Sequence, residues 1–217
     1  LAKWPSILAC LLIMSLAYSA PDFDRLLRSL NQRWGTGAVQ KFQAWRDLQG
    51  ISATLPEAEK LKRVNDFFNR QIRFEDDSVI WQQTDYWATP LETLGRGAGD
   101  CEDFTIAKYF TLQMLDINPA KLRLTYVKAK IGGPSSTVSQ AHMVLAYYSQ
   151  PDAEPLVLDN LIGDIRPASR RPDLLPVFSF NSDGIWVPGG SQPNASSDRL
   201  SRWKDLVARM RGEGFSF

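Results

Sequence analysis

The stretch GAGDCEDFTIAKYF, residues 97–110, sets one cysteine among three carboxylates at the point where the sequence predicts that a helix begins. The thiolate is the reactive form of cysteine, and neighbouring anions disfavour it. Cys101 is therefore either inert or placed where something offsets Asp100, Glu102 and Asp103. On a helix turning about 100° per residue, Asp100 and Asp103 fall roughly 60° apart, and the three acids span roughly 160°, centred opposite Cys101. Hard oxygen donors at this density suit Ca²⁺, with glycine-loop carbonyls or water completing its shell. Such a cation would offset the field that raises the thiol's pKa, and helix N-terminal amides favour the thiolate independently. The same spacing equally fits acids that simply complement the helix dipole in solvent.

The chain has a single histidine, His142, and Asp159 follows it in the run EPLVLDNL. Each of the three residues has a plain structural reading. A lone cysteine serves as a small buried apolar residue, a lone strand histidine as a satisfied core group, and Asp159 as the first residue of a turn. Taken jointly, Cys101, His142 and Asp159 supply a nucleophile, a base and an orienting acid, in order, on a helix and two successive strand segments.

Those three residues need elements to hold them. DFDRLLRSLNQRW (22–34) and AVQKFQAWRDLQ (38–49) carry apolar residues at helical spacing, separated by Gly35 and Gly37. Thr54 and Glu57 form a capping-box pattern, with Pro56 just inside the next helix, and Thr89 with Glu92 repeats the pattern at TPLETLG. Glycines 95, 97 and 99 break the chain before Asp100. From Cys101 to Leu115 it is apolar on most faces, as a buried central helix would be. KLRLTYVKAKI, AHMVLAYYS, EPLVLDNL, LPVFSF and GIWVP then read as short strands, with Asp183-Gly184 as a hairpin turn and SSDRLSRWKDLVARM as a terminal amphipathic helix. Helices first and an antiparallel sheet afterwards define an α+β fold.

At 217 residues and 44% hydrophobic, the chain is large enough for a sizeable core. Its 25 basic and 24 acidic residues nearly cancel, and no dense Lys/Arg run favours nucleic acid or an anionic membrane surface. LAKWPSILACLLIMSLAYSA pairs Lys3 with a short apolar run, so residues 1–20 are read as an export signal, with an uncleaved anchor or a buried helix as the alternatives. Residues 21–217 then form one domain with a helical N-terminal lobe, and Cys101 is the only cysteine in it.

GDCEDF, AHMVLAY and LVLDNL, in this order and at these separations, resemble the bacterial transglutaminase-like cysteine proteinases, and DYWATPLETLGRGAGDCEDF extends the likeness upstream. The resemblance is to the periplasmic branch that releases large biofilm adhesins. It implies a transglutaminase-like, papain-related core with Cys101 as nucleophile, His142 as general base and Asp159 as orienting acid. It implies Ca²⁺ held by acids flanking the cysteine, Asp100 and Glu102. Asp103 joins them on the helical-arc geometry. It further implies a large adhesin as substrate, cut near its N-terminus at paired alanines. The expected regulator is an inner-membrane cyclic di-GMP receptor that sequesters the protease, with no nucleotide binding by this chain. Trp81, Trp87 and Trp186 are candidates for a docking surface or for ordinary core aromatics, and Trp87 or the segment around it is the candidate for a second oxyanion donor. Alternatives are acyl transfer to an amine on the same triad, a non-catalytic calcium-dependent binding module, and a redox thiol, which would lack a resolving cysteine.

Overall fold

The computed structural model describes residues 22–216, so the expected N-terminal signal or anchor lies outside the described residues. The chain starts on α1 (Phe23–Trp34), capped by the Asp22 carboxylate, which accepts from the Arg25 N–H at 2.9 Å. Gly35, at φ +74°, turns the chain into α2 (Thr36–Ser52), so Gly37 lies inside a helix and not in the linker expected for it. In α3 (Glu57–Gln71) the predicted Thr54 cap does not form: Pro56 occupies the N-cap position and no side chain caps the helix. Glu57 is instead engaged by Lys121 Nζ at 2.9 Å and by the Tyr147 hydroxyl.

β1 (Arg73–Phe74) leads to α4 (Asp77–Ile80), and α5 (Pro90–Arg96) opens with the predicted capping box between Thr89 and Glu92. Gly95 falls within α5. The helix ends at Gly97, which adopts the left-handed conformation glycine tolerates. β2 (Ala98–Gly99) pairs in parallel with β1, a contact the sequence pattern did not announce. α6 (Cys101–Met114) follows at once and is buried along most of its length.

Beyond α6 the chain forms β3 (Leu122–Lys130), β4 (Ser139–Tyr147), β5 (Leu156–Leu158), β6 (Arg166–Pro167), β7 (Leu174–Asn181) and β8 (Gly184–Trp186). They make one six-stranded antiparallel sheet in the order β6-β5-β4-β3-β7-β8. Leu124, Met143, Leu145 and Phe180 join Phe104, Ile106 and Leu112 of α6 in the main core, while Val127, Val144 and Val157 form a smaller apolar cluster of their own. The fold is α+β, helices then antiparallel sheet, as expected.

α7 (Ser201–Glu213) closes the helical side. Its Arg209 gives Nη1 to Glu92 at 2.6 Å and Nη2 to the Trp87 carbonyl at 2.6 Å. Glu92 also receives Arg33 of α1 at 3.1 Å and the Tyr86 hydroxyl at 2.9 Å. This carboxylate thus ties α1, α5, α7 and the segment before α5 together. Among the described residues no helix is long and apolar enough to cross a membrane.

Candidate active site

Cys101 stands at the first position of α6, partly buried. One turn on, the Thr105 hydroxyl bridges α6 to the sheet, reaching the Cys101 carbonyl at 2.8 Å and the Met143 carbonyl at 3.1 Å. The Met143 backbone N–H faces the sulfur and favours its anion, so β4 lies directly against the thiol. Sγ donates to Glu102 Oε2 at 2.8 Å. Sulfur and carboxylates are therefore not held on opposite sides of the helix as the arc geometry predicted, because the flexible Glu102 side chain folds back onto its neighbour. Burial, then the charge and hydrogen bond of Glu102, then the charge of Asp100 push the thiol far above its ordinary range.

His142 and Asp159 do come together. His142 Nε2 lies 2.8 Å from Asp159 Oδ1, with the two side chains 2% and 0% exposed. The same oxygen accepts the Leu161 N–H at 3.0 Å, and Arg171 Nη2 holds Oδ2 at 2.7 Å. Burial alone would raise the Asp159 pKa. The hydrogen bond and charge of His142, with the Leu161 N–H and Arg171, outweigh it and hold the carboxyl at about 2. An ionised Asp159 at Nε2 fixes the tautomer that leaves Nδ1 as the basic nitrogen. Among the described residues no hydrogen bond yet joins Sγ to the imidazole; the thiol proton is given to Glu102 instead. Sequence reasoning missed Arg171, which lies in the polar run ASRRPD where a solvated surface charge is the ordinary reading.

The acids flanking Cys101 form part of a larger cluster. Ligand oxygens of Asp77, Asp100 and Asp103 lie within 4.8 Å of one another, and so do those of Asp77, Asp85 and Glu102. Asp103 is fully buried, its Oδ1 accepting the Ala88 N–H at 2.7 Å, and Gly99 passes so close that a Cβ there would sit 2.7 Å from the Asp103 Cβ. Asp77 accepts the Tyr86 N–H. Yet, among the described residues, Asp77 Oδ1, Asp85 Oδ1, Asp100 Oδ1 and Asp103 Oδ2 are buried without a hydrogen-bond partner. Burial first, then the neighbouring carboxylates, raise Asp100 to about 10; burial likewise raises Asp77 to about 6 and Asp103 well above the usual range. Orphaned carboxylate oxygens at this density fit a hard cation with oxygen ligands, Ca²⁺ above all. Asp77 and Asp85 were not foreseen as ligands, because they approach only through the pairing of β1 with β2 and the α4 turn after it.

Of the tryptophans, Trp87 and Trp186 are core residues, 3% and 5% exposed. Trp87 stacks on Phe180 with centroids 5.6 Å apart, and Trp186 lies under the Arg123 guanidinium at 4.3 Å. Trp81 is half-buried, its ring beside Tyr86 and below Arg96.

Residues 41–181 match the family described as bacterial transglutaminase-like cysteine proteinase. Among solved structures the chain is similar to Legionella pneumophila LapG, at 38% identity and a TM-score of 0.74, over 88% of this chain and 99% of that one. An EGTA-treated form of LapG matches at 39% identity and 0.76, over 88% and 100% of the two chains. A calcium-bound form matches at 40% and 0.72, over 85% and 97%. None of the curated proteins matches.

Proposed function

The chain belongs to the bacterial transglutaminase-like cysteine proteinases, and from that premise we propose that it is a calcium-dependent endopeptidase with Cys101, His142 and Asp159 as its catalytic residues. The observation that carries the reading is the buried Asp159–His142 pair on the sheet, delivered by the strand whose Met143 N–H already faces the Cys101 sulfur.

In the reaction, the Cys101 proton passes to His142 Nδ1 and the sulfur attacks the scissile peptide carbonyl. Asp159, ionised and clamped, stabilises the imidazolium. The Cys101 N–H, at the head of α6 where backbone amides have no acceptor within the helix, donates to the developing oxyanion, the kind of contact worth about 100- to 1,000-fold in rate. His142 then protonates the departing amine, and the thioester forms as the C–N bond breaks. A water molecule, deprotonated by His142, attacks the thioester and releases the acid and the thiol. Asp77, Asp85, Asp100, Glu102 and Asp103 would hold Ca²⁺, whose positive charge offsets theirs. The residues drawn to the metal include Glu102, the present acceptor of the thiol proton.

The proposed substrate is a large surface adhesin cut near its N-terminus at paired alanines, in the periplasm, with release of the adhesin from the cell. The proposed regulator is an inner-membrane cyclic di-GMP receptor that sequesters the enzyme. The resemblance carried by GDCEDF, AHMVLAY and LVLDNL supports these assignments. The test incubates the purified protein and its Cys101→Ala variant with the N-terminal region of the adhesin, in calcium and in EGTA. Cleavage by the wild type in calcium alone supports the reading. Equal cleavage by Cys101→Ala, or a cross-linked product when a primary amine is added, overturns it.

A further inference from the structure

On β3 and β7, Tyr126 faces Phe178 and Val127 faces Pro176, so the β3–β7 register skips Val177, which forms a β-bulge. A bulge bends its strand and re-aims the extra side chain. Val177 is 56% exposed, and Leu175 beside it is 48% exposed. The Tyr126 and Phe178 rings pack with centroids 4.7 Å apart. Between them and the start of β4 lies a groove of about 350 Å³, its walls Tyr126, Phe178, Val177 and Ala141, with Lys128 also lining it.

This groove adjoins the nucleophile. Ala141 precedes by two residues Met143, whose N–H faces the sulfur, and Tyr126 is the partner of Met143 across the ladder. The charges of Glu102 and Cys101 both act on the Tyr126 hydroxyl. Two strand residues cover about 7 Å. An extended peptide advances about 3.5 Å per residue, so a carbonyl at Sγ brings a side chain two or three residues away over the groove. Among the described residues the acids of the cluster do not line it, and Lys128 is its one charged wall residue. Tyr126, Phe178, Val177 and Ala141 are the apolar part of the lining, the surface an aliphatic side chain would cover, with Ser139 and Gln140 as its polar part.

We propose that this groove is a substrate subsite that takes an aliphatic side chain two or three residues from the scissile bond, with Val177 as its specificity-determining wall. The inference rests on Cys101 as the nucleophile, and its occupant is the substrate peptide itself.

The experiment uses dodecapeptides built around two central alanines, carrying Leu, Gly or Asp at each position up to three residues on either side. Expected is cleavage of a Leu peptide about tenfold or more faster than its Asp counterpart at one of these positions, the size of discrimination an apolar pocket gives. Val177→Asp, an exposed change outside the ladder, slows cleavage of the Leu peptide more than that of the Gly peptide and so removes that preference. In parallel, calorimetric binding of the Leu peptide to Cys101→Ser is expected, and its loss in the Val177→Asp double variant. Cleavage without preference, or a Val177→Asp effect equal on all peptides, overturns the subsite. Binding that Val177→Asp abolishes, without cleavage by the wild type, overturns the endopeptidase reading and with it the placing of this peptide groove beside a scissile bond. Neither binding nor cleavage overturns both.

Discussion

Arg171 Nη2 lies 2.7 Å from Asp159 Oδ2, with the two side chains 1% and 0% exposed, so the acid that orients His142 is itself held by a cation sealed inside the protein. A second carboxylate, Asp173, holds the same guanidinium at 2.8 Å. Breaking a buried pair by deleting one member leaves the other charge uncompensated, at about 3–5 kcal/mol. Arg171→Met is expected to lose roughly that much stability in urea denaturation. Arg166→Met, at an exposed pair with Asp164, is expected to lose under about 1 kcal/mol. Equal losses would show that burial does not set the strength of the Arg171 pair.

Asp159→Asn keeps the shape of the site but cannot stabilise the imidazolium, and an amide N–H in place of an oxygen favours the wrong tautomer. The expected loss is about 10³- to 10⁴-fold in kcat with KM little changed. Steady-state kinetics on a cleavable peptide check it. A loss under about tenfold would reduce Asp159 to a structural role.

Calcium at the proposed site and pH are expected to act on stability with a predictable sign. The folded Asp77 carboxyl titrates at about 6, above the usual carboxylate value of 3.8, because burial disfavours its charge. A raised folded pKa contributes stability that is full below the unfolded value and lost as pH rises through the folded one. In EGTA, Tm is therefore expected to fall between pH 4.5 and 7. Glu213, raised by burial to about 7, acts in the same direction, whereas Lys108, lowered by burial to about 7, acts with opposite sign only above that window. Calcium at about 100 times its Kd adds about 2.7 kcal/mol, or roughly 5–10 °C for a chain of this size. Asp77→Asn is expected to raise Tm in EGTA at pH 7 and to shrink the calcium increment. A Tm in EGTA that is flat across the window, in wild type and variant alike, would contradict the charge assignment.

Cys101 should alkylate slowly without calcium, because burial and Glu102 oppose its ionisation. With Cys10→Ser to leave one thiol, iodoacetamide modification at pH 8 in EGTA is expected to quicken about tenfold on Glu102→Gln, the equivalent of one pKa unit. Calcium is expected to have a similar effect on the chain that retains Glu102. Mass spectrometry over time reads both rates, and an unchanged rate in Glu102→Gln would remove Glu102 as the restraint on the thiol.

The catalytic candidates were legible because each sits on an element with a strong local signal. Cys101 opens a buried helix, His142 lies on a nine-residue strand, and Asp159 follows a run of aliphatic residues. What stayed hidden depends on tertiary approach. Asp77 and Asp85 reach the cluster through β1 and β2, two residues each, too short to leave any periodicity. The Thr54 cap was a correct pattern in the wrong place: Glu57, the residue that would have completed it, is claimed by Lys121 and Tyr147 from across the fold. Helical wheel geometry placed the Cα atoms around Cys101 but not the reach of Glu102, whose rotamers carry its carboxylate back to the sulfur.

Glu92 gathers Arg33, Tyr86 and Arg209, residues far apart along the sequence. A ribosome makes Arg209 more than a hundred residues after Glu92, so this junction cannot close on a partly synthesised chain. Arg209 also grips the Trp87 carbonyl, one residue before the Ala88 N–H that steadies Asp103. The bed of acids beside the cysteine is thus fully braced only once the last helix has docked, and an unfinished polypeptide would carry its thiol without the scaffold to use it.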